Sequence, residues 1–175
     1  MDKRHYLVDK YHPLPEDYVP YDLDIAPIPF TCTTDSPKHL MCRVVFDSLK
    51  KMHNDSLEAG LSIYGISGYR SYYRQQEIYL ESIIKKGVAH TLKYIAPPGT
   101  SEHQTGLALD VSCPKVDYEL VEEFALTPEG KWLKKNAGKY GFIISYPEDS
   151  YEKTGYAYEP WHLFFPCKNA GYYVY

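Results

Sequence analysis

Two short stretches, far apart in the chain, carry residues that make chemical sense only if the fold brings them together. The first is Ser101-Glu102-His103-Gln104-Thr105-Gly106-Leu107-Ala108-Leu109-Asp110, where an imidazole and a carboxylate stand seven residues apart around a glycine. The second is Glu159-Pro160-Trp161-His162, about fifty residues downstream. Histidine and aspartate both bind zinc well, and three protein ligands plus one open position is the usual layout of a catalytic zinc site. A chain organised around such a set must be a scaffold that joins these two segments. Any one of the histidines alone reads more readily as an ordinary surface or core residue than as a metal ligand; the constraint comes from the pattern.

A chain of 175 residues is one domain's worth, long enough to bury a core. The net charge of −4 provides no basic field, which excludes nucleic acid as an expected partner. No run approaches 18 apolar residues, so no membrane span is expected. The opening Met1-Asp2-Lys3-Arg4-His5-Tyr6-Leu7-Val8 has charge without an apolar stretch behind it, so this numbering shows no secretory signal. Cys32, Cys42, Cys113 and Cys167 include no C-x-x-C pair, and buried, reduced thiols are expected. The 19 tyrosines suit a polar polymer surface or a wet interface, with packing at core edges the equal alternative.

Residues 1–37 hold six prolines and read as an extended arm lying on the domain, anchored by Tyr6, Leu7, Tyr11, Leu14, Tyr18, Val19, Tyr21, Leu23 and Ile28. Ser36-Pro37 reads as a helix start, and Met41, Val45, Leu49 and Met52 recur at helical spacing, so a helix is expected over 37–59. Residues 61–66 alternate as a strand. A second helix is expected over 72–86, ended by Gly87, and a third over 128–140 behind the Thr127-Pro128-Glu129 start, ended by Gly141. Residues 88–106 read as a long, functional loop. Residues 107–111 alternate as a strand with Leu107, Leu109 and Val111 on one face and Ala108 and Asp110 on the other. Segments 142–144 and 161–165 complete the strands.

Ser67-Gly68-Tyr69-Arg70-Ser71, the 101–110 motif and the 159–162 motif together resemble the VanY-type D-alanyl-D-alanine carboxypeptidases, zinc peptidases that trim peptidoglycan peptides. The segments Leu14-Pro15-Glu16-Asp17-Tyr18-Val19-Pro20-Tyr21-Asp22-Leu23, Thr127-Pro128-Glu129-Gly130-Lys131-Trp132-Leu133 and Thr154-Gly155-Tyr156-Ala157-Tyr158 extend the resemblance over nearly the whole chain. It implies a single α+β domain of the wider class shared with lysostaphin-type peptidases and the hedgehog domain. A central, mostly antiparallel sheet would carry the zinc site, flanked by helices.

The resemblance further implies Zn2+ held by His103, Asp110 and His162. Glu159 would be the general base toward a zinc-bound water, and Arg70 would stabilise negative charge. Gln75, Ser101 and Tyr146 would join Arg70 in binding substrate. Glu159 and His162 would face opposite sides of a straight strand, so a bend at Pro160 is expected. Two positions depart from the family pattern. Ser145 stands where many relatives have arginine before Tyr-Pro, and Phe164-Phe165 stands where they have Arg-Tyr. The expected activity is removal of a C-terminal D-alanine from stem peptides, at a D,D or an L,D bond, by a monomer. Such an enzyme works outside the bacterial membrane, which would need a leader or anchor not present in this sequence; an open reading frame starting at Met1 would instead favour a cytoplasmic role. A D-Ala-D-Ala dipeptidase and a non-catalytic zinc-holding wall-binding module are the alternatives, and the presence of both Glu159 and Arg70 speaks against the latter.

Overall fold

The computed structural model describes residues 8–166, so His5, Tyr6, Leu7 and Cys167 lie outside the described residues. Strands β1 (Leu23–Ile25) and β2 (Leu40–Cys42) form a small antiparallel ribbon. The strands β3 (Tyr64–Ser67), β4 (Ala108–Ser112), β5 (Ile143–Ile144) and β6 (His162–Phe164) form a second sheet in the order β3-β4-β6-β5, antiparallel at every pairing. Around it stand α1 (Phe46–Glu58), α2 (Tyr72–Lys86), α3 (Val88–Tyr94), α4 (Pro128–Asn136) and the short α5 (Tyr151–Thr154). This is the α+β arrangement with an antiparallel sheet that the sequence implies. No described helix is long and apolar enough to cross a membrane.

Local chemistry sets most helix ends. The Ser71 hydroxyl accepts from Arg74 N to open α2, and Gly87, at φ 83°, closes it. Thr127 caps α4 by accepting from Gly130 N, with Pro128 in the first turn. That helix ends at Asn136, and Ala137–Tyr140 continue it only as a 3-10 turn that Gly141 terminates. Strand β4 is the spine of the fold, with every residue buried. Leu109 and Val111 join Leu49, Met52, Phe124, Leu133, Phe142 and Leu163 in one apolar cluster, while alternation turns Asp110 to the opposite face.

The expected helix over 37–59 is not one helix. Ser36 and Pro37 open only a 3-10 turn, Pro37–His39. The chain then extends as β2, with Cys42 opposite Leu23 and Leu40 opposite Ile25. The carbonyls of Lys38 and Leu40, which a helix would have used internally, accept from Gly68 N and Tyr69 N at 2.7 Å. Pairing with distant segments has overridden the local periodicity, and α1 begins only at Phe46. Nor is 88–106 an unstructured loop. It contains α3, which the buried Thr91 Oγ1 ties to Ser82 Oγ at 2.8 Å, and a 3-10 turn at Glu102–Thr105. Seven residues are too few to display a helical period, and Val88 and Leu92 face outward.

Within the arm, Leu14 and Ile28 are buried, whereas Tyr11, Val19 and Tyr21 are largely exposed. Hydrogen bonds to the arm's backbone help to hold it. Leu14 N donates to Gly99 O, and the buried Gln104 amide donates to Pro15 O and Tyr18 O. Of the described cysteines, Cys42 and Cys113 are buried and Cys32 is half-buried, and the Cys42 thiol donates to Thr105 O at 3.3 Å.

Candidate active site

Strand register assembles the centre. Ser67 on β3 lies opposite Asp110 on β4, and Asp110 lies opposite His162 on β6. Directly opposed residues project from the same face, so three strands put a hydroxyl, a carboxylate and an imidazole in one row. His103 arrives from the 3-10 turn that precedes β4. Gly106 ends that turn at φ +70°, and a Cβ there would come within 2.8 Å of both Cys42 Sγ and Leu23 Cδ2, so only glycine fits.

His103, Asp110 and His162 are all buried, and their ligating atoms lie within 4.8 Å of one another. His103 Nδ1 is 2.7 Å from Gly68 O. A carbonyl only accepts, so Nδ1 carries the proton and the Nε2 lone pair points at Asp110 Oδ2, 3.1 Å away. His162 Nδ1 sits 2.9 Å from Asp110 Oδ1. Burial pushes Asp110 up, but His103 and His162 outweigh it and hold the carboxyl well below the usual range. Burial pushes His103 down, against the pull of Asp110. A neutral imidazole lone pair facing an ionised carboxylate oxygen is an arrangement that calls for a cation between them. Two imidazoles and a carboxylate are the donors zinc takes, so the residues fit that metal.

Glu159, Pro160, Trp161 and His162 form a tight turn, closed by His162 N donating to Glu159 O at 3.1 Å with proline in the second place. The expected bend at Pro160 is therefore present. Glu159 and His162 both border a cavity of about 560 Å³, as do Arg70, Gln75, Ser101 and Tyr146. Burial beside Asp110 pushes Glu159 up to about 7, although His162 and Arg70 pull the other way. Arg70 is clamped from behind. Its Nη1 donates to Gln75 Oε1 and its Nη2 to Ser67 Oγ, with Asp110 Oδ2 3.6 Å from Nη2. Gln75, 1% exposed, is itself anchored by donating to Ala96 O at 2.6 Å, so it holds Arg70 and presents little of itself to the cavity. The Tyr146 ring packs 5.0 Å from the His162 ring. Trp161 belongs to the core cluster and also borders the cavity.

Sequence reasoning missed several neighbours. Glu102 Oε2 stands 2.7 Å from His162 Nε2, and Ser145 Oγ donates to the same oxygen at 2.7 Å. The sequence signal for Glu102 is only an acid beside His103, and nothing there points to a partner sixty positions away. Tyr156, 5.1 Å from the Tyr146 ring, and the side chains of Lys86, His90, Glu122 and Glu123 also line the cavity.

The family described as VanY, D-alanyl-D-alanine carboxypeptidase, matches residues 38–168. YodJ of Bacillus subtilis (strain 168) is 42% identical over 164 residues, 94% of this chain and 60% of its own length, so the chain spans less than two thirds of that relative. A solved structure of the LdcB LD-carboxypeptidase, described as revealing the molecular basis of peptidoglycan recognition, superposes with a TM-score of 0.86. It is 42% identical, covering 94% of this chain and 77% of that one. A mutant of the vancomycin-resistance D,D-pentapeptidase VanY, in complex with Zn(II), superposes with a TM-score of 0.73 at 29% identity, covering 92% of this chain and 86% of that one.

Proposed function

The chain belongs to the VanY family of D-alanyl-D-alanine carboxypeptidases, and on that premise we propose that it is a zinc-dependent carboxypeptidase removing a C-terminal D-alanine from peptidoglycan stem peptides. The observation that carries the reading is the convergence of His103, Asp110 and His162 on the lining of a cavity that Glu159 and Arg70 also border. His103 would hold zinc through Nε2, Asp110 through its carboxylate and His162 through Nδ1. Bound there, zinc supplies Lewis-acid polarisation of the scissile carbonyl and makes water more acidic.

The protein's own groups divide the rest of the work. Glu159, raised by burial into the range of a working base, takes the proton of the attacking water and delivers it to the departing amine nitrogen. Arg70 keeps its charge over the cavity because Gln75 and Ser67 fix its guanidinium. From there it can pair with the peptide's terminal carboxylate or with charge developing on the carbonyl oxygen. Tyr146 braces His162 and closes one wall, and Ser101 lies within reach of the peptide end. Such an enzyme would act as a monomer, outside the membrane where stem peptides are found.

The greater likeness to LdcB than to VanY favours the L,D bond of a tetrapeptide over the D,D bond of a pentapeptide. Mass spectrometry after incubation with tetrapeptide, pentapeptide and free D-Ala-D-Ala tests it. Loss of one alanine from the tetrapeptide is the expected result. Cleavage of the free dipeptide alone would make the protein a dipeptidase, and wall binding without cleavage would make it a binding module.

A further inference from the structure

The imidazole of His162 lies between two carboxylates. Nδ1 faces Asp110 Oδ1 at 2.9 Å, while Nε2 on the other side of the ring faces Glu102 Oε2 at 2.7 Å. Asp110 is one of the three converging metal donors, so Nδ1 is the nitrogen on the metal side. Glu102 points at the opposite edge of the ring and is therefore no fourth ligand. Its Oε2 also accepts from Ser145 Oγ at 2.7 Å, so two donors hold one carboxylate oxygen from two elements. The side chain of Glu102 is 14% exposed and that of His162 is 4% exposed.

We infer that Glu102 is a positioning residue for the metal centre, acting through His162, and that Ser145 holds Glu102 in place. This rests on the proposed zinc site. The chemistry is that of a carboxylate behind a ligating histidine. By accepting from Nε2–H, Glu102 fixes the tautomer whose lone pair is on Nδ1, stops the ring rotating, and makes Nδ1 a stronger donor. His103 has the matching arrangement with a neutral acceptor, Gly68 O, behind Nδ1. The two imidazoles are thus presented through different nitrogens, one backed by a carbonyl and the other by a charge. The Ser145 position, a departure from the family pattern, acquires a physical task in this chain.

The test measures zinc affinity by chelator competition, and the visible spectrum of the Co(II)-loaded protein, for wild type, Glu102→Gln, Glu102→Ala and Ser145→Ala. Glu102→Ala should weaken zinc by roughly 10–100-fold, the usual effect of losing such a partner, and should alter the Co(II) bands. Glu102→Gln keeps an acceptor and should recover part of that loss, which a purely structural role would not predict. Ser145→Ala should show the smallest change. Should Glu102→Ala fail to fold, the isosteric Glu102→Gln still carries the test, because unchanged affinity and an unchanged spectrum in that variant overturn the inference. A wild type that binds no zinc overturns the proposed function as well; a wild type that binds zinc, with variants that bind it equally, overturns only the role of Glu102.

Discussion

One wall of the cavity is made of strands and the other of exposed side chains on helices and turns, and the two are held by different means. On the first wall, Asp110 and His162 stand in register across β4 and β6, with Ser67 of β3 opposite Asp110, and both wall residues are only 3% exposed. A slip of one residue would turn Asp110 into the core, so the backbone ladder itself specifies where the donors sit. On the second wall, Lys86 projects from α2, His90 from α3, and Glu122 and Glu123 from the 3-10 turn that follows Val121. Glu122, Glu123 and Lys86 are exposed, and nothing comparable to strand register fixes them. Fixed geometry suits bond chemistry, whereas solvated, exposed groups suit selection among peptides, where each contact is worth little.

The largest effects should come from Glu159 and Arg70, which border the cavity beside the strand-borne Asp110 and His162. Glu159→Ala should retain metal but lose turnover by at least ~100-fold, the ordinary contribution of a general base. Metal analysis and kcat on the same sample check both halves, and a near-wild-type rate would favour a non-catalytic module. Arg70→Ala should cost roughly 10²–10³ in kcat/KM, as loss of a donor to developing charge usually does. Arg70→Lys should recover little of it, because a lysine cannot engage Gln75 and Ser67 together as the fork does.

A pH titration sharpens the same contrast. Burial disfavours the charged form of His162, but its bonds to Asp110 and Glu102 prevail and push the metal-free imidazole up to about 10. Protons therefore compete with metal for Nδ1 throughout the neutral range. Apparent zinc affinity should fall as pH falls, by up to ~10-fold per unit from this group, since a ligand must shed its proton to bind. Isothermal titration at several pH values reads the slope, and a flat profile would break the account of His162 as a ligand. On the exposed wall, Glu122→Gln and Glu123→Gln should each change KM by less than about fivefold and leave kcat intact. Exposed charges contribute only ~0.2–1 kcal/mol. A loss of kcat there comparable to that of Arg70→Ala would erase the distinction between the two walls.

The same division explains what the sequence discloses. His103 and Asp110 are legible as candidate metal donors because they flank Gly106 at a fixed spacing, His162 because it closes the Glu159-Pro160-Trp161-His162 motif, and α2 is legible because Ser71 and Gly87 mark both its ends. Segment 40–42 misleads because its neighbours in sequence favour a helix while its backbone pairs with residues 23–25, Tyr69 and Gly106. Glu102 is hidden because its partners, Ser145 and His162, come from elements whose approach only the fold determines. The exposed wall is hidden for another reason: α3 is too short to show a period, and the charges at 122 and 123 read as any solvated turn.

The central claim is that the cluster of His103, Asp110 and His162 is a zinc centre on which peptide cleavage depends. Zinc stripped by a chelator and titrated back, with alanine release from tetrapeptide followed on the same sample, addresses it directly. The account predicts that activity disappears on stripping, returns in proportion to added zinc, and saturates at about one equivalent per chain, with His103→Ala defective in both metal and activity. Cleavage that survives complete removal of metal, or a His103→Ala protein with full metal and full activity, would contradict it.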